Sequence, residues 1–203
     1  MLDHTGTVKA AKLALRDQLL AGRRRIGLLE LGERARASAD HLLDLPEVRR
    51  AATVAAYVSV GHEPGTGPLL DRLHDRGVRV LLPLLQPDGD LDWAPYAGSG
   101  DLRSARRGLL EPGTAALGPD AVAGADVVLV PGLAVGRDGT RMGRGGGSYD
   151  RALARVPAGT LRCVLLHRGE LLDAVPAEPH DLSVDAVVTD EGVVRLPLAA
   201  GGA

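Results

Sequence analysis

The chain has 203 residues, 45% of them hydrophobic and 25% charged, with a formal net charge of −2. That length suits one sizeable core better than two, and the composition is that of an ordinary folded domain, which excludes a disordered chain. Near-neutral charge argues against a broad nucleic-acid surface and gives weight to any local cluster of cations.

The first predicted element is a helix over Val8 to Leu20, with Thr7 as its cap and Leu15 and Leu19 on one apolar face. Lys12 and Arg16 are four residues apart on it, so both project from one side; they are a solvated pair or a pair converging on one ligand. Lys9 and Lys12 are the only lysines in an arginine-rich chain. A second helix, Leu28 to Leu43, mixes charges with leucines and reads as a surface helix packed on a sheet.

Thr53 to Ser59 predicts a strand, Gly61 to Gly67 a loop, Pro68 to Arg76 a helix stopped by Gly77, and Val78 to Leu82 a second strand. Such a βαβ unit calls for parallel pairing, and the loops after parallel strands collect ligands. Glu63, beside His62, sits on one of them, where it is a solvated carboxylate or an acceptor for a polar ring. Pro87-Asp88-Gly89-Asp90 predicts a hairpin turn leading to Trp93 and Tyr96. With no phenylalanine, the chain has only Tyr57, Trp93, Tyr96 and Tyr149 to stack on a flat heterocycle, and core packing competes for each. Ala97 to Gly124 reads as a long excursion with little regular structure.

Asp126 to Val130 predicts a buried parallel strand ending at Pro131, and it runs into the densest motif in the chain, VPGLAVGRDGTRMGRGGGSYDR from Val130 to Arg151. Gly143, Gly145, Gly146 and Gly147 remove side chains from a short loop, while Arg141 and Arg144 place guanidinium forks beside it. Backbone N–H groups and arginines arranged in this way suit phosphate, although a plain glycine-rich surface loop has the same composition. It is not a Walker A loop, which needs a lysine, nor a dinucleotide fingerprint from Gly143, which needs glycine where Ser148 stands. Ser148 is expected to cap a helix over Tyr149 to Arg155 and to aim its N-terminus at the same place.

A strand over Leu161 to Leu166 carries the single cysteine, Cys163, read as a structural thiol. A proline-interrupted loop with Pro176, Pro179, His180 and Asp181 precedes a strand over Val184 to Thr189 and a small hairpin with Val193 to Leu196. Residues 199–203 are expected to be a disordered tail on a single domain of residues 1–198. No apolar run is long enough to span a membrane and no signal core opens the chain, so a cytoplasmic protein without a membrane partner is expected.

Taken together, Pro131-Gly132-Leu133, the run from Gly139 through Tyr149-Asp150, the Lys12 and Arg16 helix, the strand and loop ending in Glu63, and the late Pro176, Glu178, His180, Asp181 segment resemble the 5-formyltetrahydrofolate cyclo-ligase family over nearly the whole chain. The resemblance implies a three-layer, Rossmann-like α/β domain with a mostly parallel sheet and helices on both faces. The implied activity is ATP- and magnesium-dependent cyclisation of 5-formyltetrahydrofolate to 5,10-methenyltetrahydrofolate. A monomer is expected, and the near-neutral charge leads to the expectation of no nucleic-acid partner.

Position by position, the resemblance implies that Lys12 and Arg16 contact ATP phosphates and that Arg141, Met142, Gly143, Arg144, Gly145, Gly146, Gly147, Ser148 and Tyr149 form the rest of the nucleotide site. Lys12, Arg16 and Arg144 would act in the chemistry. Val58, Glu63, Trp93 and Gly146 to Tyr149 would meet the folate, and Asp150 and Asp181 would lie near Mg²⁺, with His180 beside a magnesium carboxylate rather than a ligand itself. Two positions depart from the family pattern: Ser148 replaces a common tyrosine, and Val135 and Gly136 replace an aromatic-acidic pair. Weaker or remade folate contacts are expected there. The alternatives are a nucleotide- or folate-binding protein of this fold without turnover, and a sugar-phosphate isomerase or small kinase using the same arginine and glycine loop.

Overall fold

The computed structural model describes residues 4–178 and 181–197. Its helices are α1 (His4–Arg23), α2 (Leu28–Asp44), α3 (Pro46–Arg50), α4 (Gly67–Asp75) and α5 (Ser148–Ala154). Its strands are β1 (Thr53–Ala55), β2 (Arg79–Leu85), β3 (Leu91–Pro95), β4 (Leu102–Ser104), β5 (Leu110–Pro112), β6 (Val127–Pro131), β7 (Ala134–Gly136), β8 (Arg141–Met142), β9 (Leu161–Leu165), β10 (Leu171–Leu172), β11 (Ala186–Thr189) and β12 (Gly192–Arg195).

Seven strands form the main sheet in the order β12-β11-β9-β6-β1-β2-β3. The five inner strands are parallel, and β12 and β3 pair antiparallel at the two edges. Strands covered on both faces need apolar side chains on both, which is why β6 reads as an unbroken apolar run. One face packs α2, α3 and α4 through Leu42, Leu43, Val48, Leu69, Leu70 and Leu73 against Val54, Val80, Leu129 and Cys163. The opposite face packs α5 and the turn around Val122 against Ala55, Leu81, Val128, Val130, Val164 and Val187. These three layers, helices on both faces of a mostly parallel sheet, are the expected architecture.

Beside the main sheet, β10, β7 and β8 form a small second sheet. Leu15, Leu19 and Leu20 of α1 pack against its Ala134 and Met142 and against Leu133 and Val175. No sequence pattern announces it, because strands of two or three residues are too short to show a period.

Other boundaries also differ from expectation. Helix α1 begins at His4, so Thr7 lies inside it and is not its cap. Strand β1 stops at Ala55, short of the expected Ser59, because the chain leaves the ladder and turns into a cavity lined by Tyr57 and Val58. Proline at a first-turn position starts α3, an unpredicted helix. The excursion from Ala97 to Gly124 holds three short 3-10 turns and the β4–β5 ribbon. Residues 199–203 and His180 lie outside the described residues. No helix among the described residues is long and apolar enough to cross a membrane.

Cys163 is fully buried at the centre of the sheet, and burial above all pushes its thiol up to about 12. A raised value keeps the folded thiol protonated, so at pH 8 a thiol reagent is expected to label Cys163 only as fast as the protein unfolds and immediately in denaturant. Rapid labelling of the native protein would contradict this burial.

Candidate functional site

The chain runs outward from the sheet centre in two directions, from β1 to β2 on one side and from β6 through β9 to β11 on the other. At such a reversal, the loops leaving the C-terminal ends of neighbouring strands diverge and leave a crevice. A cavity of about 810 Å³ lies there. The segment after β1 lines it with Tyr57, Val58, Val60 and Glu63; the end of β2 adds Pro83 and Leu85, and the segment after β6 adds Gly132 and Leu133.

The glycine loop closes one side. It springs from β8, which holds Arg141 and Met142, and ends at Gly147, whose left-handed backbone (φ 69°) precedes α5. Arg141 is buried, with Nη2 donating to Asp150 Oδ1 at 2.6 Å and Nη1 to the Pro131 carbonyl at 3.2 Å. A β-carbon at Gly143 would come within 2.6 Å of that Nη1, so the arginine lies where only glycine leaves room. Gly145 is left-handed too (φ 93°), and a β-carbon there would meet the Arg16 guanidinium at 3.3 Å. Arg16 itself donates from Nε to the Gly143 carbonyl at 2.9 Å, which lays α1 across the loop.

Lys12, one turn earlier, is 4% exposed and sits between two carboxylates, 2.6 Å from Asp181 Oδ2 and 2.8 Å from Glu178 Oε2. Burial works against its charge, but the hydrogen bonds and charges of Asp181 and Glu178 outweigh it and raise its pKa above the usual 10.5. On the other wall, Glu63 accepts from the Val60 backbone N–H at 3.0 Å and faces Arg144 Nη2 at 3.0 Å. Residues expected to serve two different ligands thus already touch. Tyr57 and Tyr149 both line the cavity, and burial, followed by the Glu63 charge, raises both hydroxyls well above their ordinary value. Each stays a donor at neutral pH, and the buried Tyr57 hydroxyl has no partner among the described residues.

Of the expected site residues, Lys12, Arg16, Val58, Glu63, Arg141, Met142, Gly143 to Tyr149, Asp150 and Asp181 all line this one cavity. Trp93 does not. It is fully buried against the sheet with Leu81, Leu91 and Val122, and its size and apolar ring make it core. Ser148 does not cap α5; its hydroxyl donates to the Gly89 carbonyl at 2.6 Å and so ties the β2–β3 hairpin tip to the glycine loop, a tie joined by Arg151. Val135 and Gly136 are buried in β7 and stay out of the cavity, so their departure from the family pattern does not touch its wall. Lining residues that sequence reasoning missed include Lys9, Arg107, Leu109, Leu110 and Glu111, the last four brought by the excursion before β6. Only length distinguishes that excursion in the sequence.

The Lys12 cluster has a pH signature. A cation whose folded pKa is raised contributes stability that is fully present below the unfolded value of 10.5 and is lost as pH climbs through the higher folded value. The stability difference between the native chain and Lys12→Met, from urea unfolding, should be flat from about pH 7 to about pH 9 and shrink above 10.5. A difference that stays constant through this range would contradict the pairing.

The sequence profile of the 5-formyltetrahydrofolate cyclo-ligase family matches residues 8–190. The 5-formyltetrahydrofolate cyclo-ligase of Mycolicibacterium smegmatis is 45% identical over 150 residues, 71% of this chain and 77% of that one. The Escherichia coli K12 protein of the same name is 33% identical over 167 residues, 81% of this chain and 90% of that one. The NMR structure of Aquifex aeolicus 5,10-methenyltetrahydrofolate synthetase superposes with a TM-score of 0.79 at 25% identity, covering 95% of this chain and 96% of that one. The chain belongs to the 5-formyltetrahydrofolate cyclo-ligase family, a family of ligases.

Proposed function

We propose that the cavity brings MgATP and 5-formyltetrahydrofolate together and closes the folate to its 5,10-methenyl form, releasing ADP and phosphate. The observation that carries this reading is that one cavity holds both the Arg16, Arg141, Arg144 and glycine-loop wall and the Tyr57, Val58, Glu63 and Tyr149 wall. The near-neutral net charge of −2 supports small-molecule partners rather than nucleic acid.

The chemistry needs no protein nucleophile. A formyl oxygen is a poor leaving group; once it has taken the γ-phosphoryl group, N10 attacks the formyl carbon, phosphate departs with that oxygen, and the N10 proton is released. Positioning and charge neutralisation are what such a transfer asks of its surroundings. Arg16 and Arg144 supply charge over the loop, and Lys12 adds more by exchanging a carboxylate for a phosphate oxygen. Glu63 and the unpartnered Tyr57 hydroxyl offer an acceptor and a donor for the edge of a pterin ring, beside the apolar Val58.

A nucleotide-bound Mg²⁺ takes one or two carboxylates and otherwise phosphate oxygens and water, so it needs no preformed cluster. Asp150 and Asp181 are hard oxygen donors that line the cavity, a set that suits this ion, and they would hold it. When bound, it would neutralise charge on the transferring group.

Mixing protein, MgATP and 5-formyltetrahydrofolate should produce the near-ultraviolet absorbance of the methenyl product; a flat trace from folded protein would sink the proposal. Arg144→Ala is expected to lower kcat/KM for ATP by on the order of 10²-fold. Asp150→Asn, which keeps an oxygen for Arg141 but loses the charge, should raise the magnesium concentration needed for half-maximal rate by about tenfold. If both variants keep native kinetics, the phosphate and metal assignments are wrong.

A further inference from the structure

Helix α1 meets the rest of the molecule through a face on which three cations recur: Lys12, Arg16 and Arg23. Intervals of four and seven residues return to one side of an α-helix. Lys12 and Arg16 reach the cavity, whereas Arg23, the last residue of the helix, does not line it. Arg23 is nevertheless 3% exposed and grips Glu170 with both arms of its fork. Nε donates to Oε1 at 2.7 Å and Nη2 to Oε2 at 2.8 Å. The same Nη2 also donates to the carbonyl of Gly132 at 2.7 Å, and Gly132 is part of the cavity wall.

From Glu170 the contacts continue to the other wall. Its Oε2 accepts the backbone N–H of His167 at 2.8 Å, and the buried His167 ring places Nε2 at 3.1 Å from the carbonyl oxygen of His62. His62 immediately precedes Glu63. A carbonyl can only accept, so His167 carries its proton on Nε2 there.

As a source of stability alone, a buried ion pair is a weak device, since well-packed apolar side chains of similar volume do as well or better. What the pair has and an apolar contact lacks is direction, because a two-pronged fork fixes the angle between its partners. We propose that Arg23 and Glu170 are positioning residues for the site. They fix the C-terminal end of α1 so that Arg16 stands over the glycine loop and Lys12 beside Glu178 and Asp181, and through His167 they set the His62 carbonyl and with it the Glu63 segment. One buried pair thereby keeps the two walls of the cavity in register.

The kinetic part of the test rests on the ligase reading, and the exchange part does not. Two variants are needed, Arg23→Lys, which keeps the charge and loses the fork, and the double substitution Arg23→Met with Glu170→Leu, which replaces the pair with apolar side chains. In both, amide hydrogen exchange should accelerate about tenfold or more in residues 8–22 and 60–64 while β6 and β9 keep native protection. The KM values for MgATP and for 5-formyltetrahydrofolate should rise together by about tenfold, with a smaller change in kcat. Variants that melt earlier yet retain native KM values and native exchange in α1 would reduce the pair to a structural role and overturn the proposal. Should the double variant fail to fold, Arg23→Lys decides by the same two readouts. A native protein without turnover would count against the ligase reading alone, leaving exchange to judge the pair.

Discussion

A parallel sheet whose chain departs from its centre in both directions must leave a gap where the two departing loops part. The cavity that gathers all of the expected site residues but Trp93 depends on that gap between the ends of β1 and β6. Strands buried on both faces make a rigid floor, and what is built on it is irregular: the turn after β1, the small β10-β7-β8 sheet and the glycine loop. The loop gains its shape from a buried arginine beneath it, a helix above it and a hairpin tip tied to its end. The helix and the hairpin tip come from distant parts of the chain.

Helix α1 is attached in an unusual way. Its apolar contribution is three leucines on the edge of the small sheet, while its deepest side chains are cations. Burying an ammonium or guanidinium without a partner costs several kcal/mol, so each must be met by a carboxylate or a carbonyl. Glu178 and Asp181 answer Lys12, the Gly143 carbonyl answers Arg16, and Glu170 with the Gly132 carbonyl answers Arg23. The helix is thus docked largely through its cations, two of which, Lys12 and Arg16, also line the cavity.

How much of this is legible in the sequence depends on the range of each interaction. The inner strands, α2 and α4 are legible because burial on a sheet imposes a pattern within a few residues, and Gly77, left-handed at φ 76°, stands just past the end of α4 as a stop signal should. The glycine loop is legible as a segment set apart from the core, since a cluster of glycines with arginines is itself a local signal, and it does line the cavity. Trp93 is not, because a ring suited to stacking on a ligand is equally suited to a core, and nothing nearby in sequence decides between them. Ser148 misleads for a related reason: a hydroxyl before a helix is a cap unless a carbonyl from elsewhere claims it, and Gly89 does. Arg23 and Glu170 are 147 positions apart and carry no signature at either end.

Three of the cations in the cavity wall are already paired with carboxylates. Lys12 stands against Asp181 and Glu178, Arg141 against Asp150, and Arg144 against Glu63. To reach these three cations, an incoming anion must separate pairs that already exist. Internal pairing of this kind sets a threshold: taking one of these cations from its carboxylate costs an ion pair, and only contacts made with several of them together repay it.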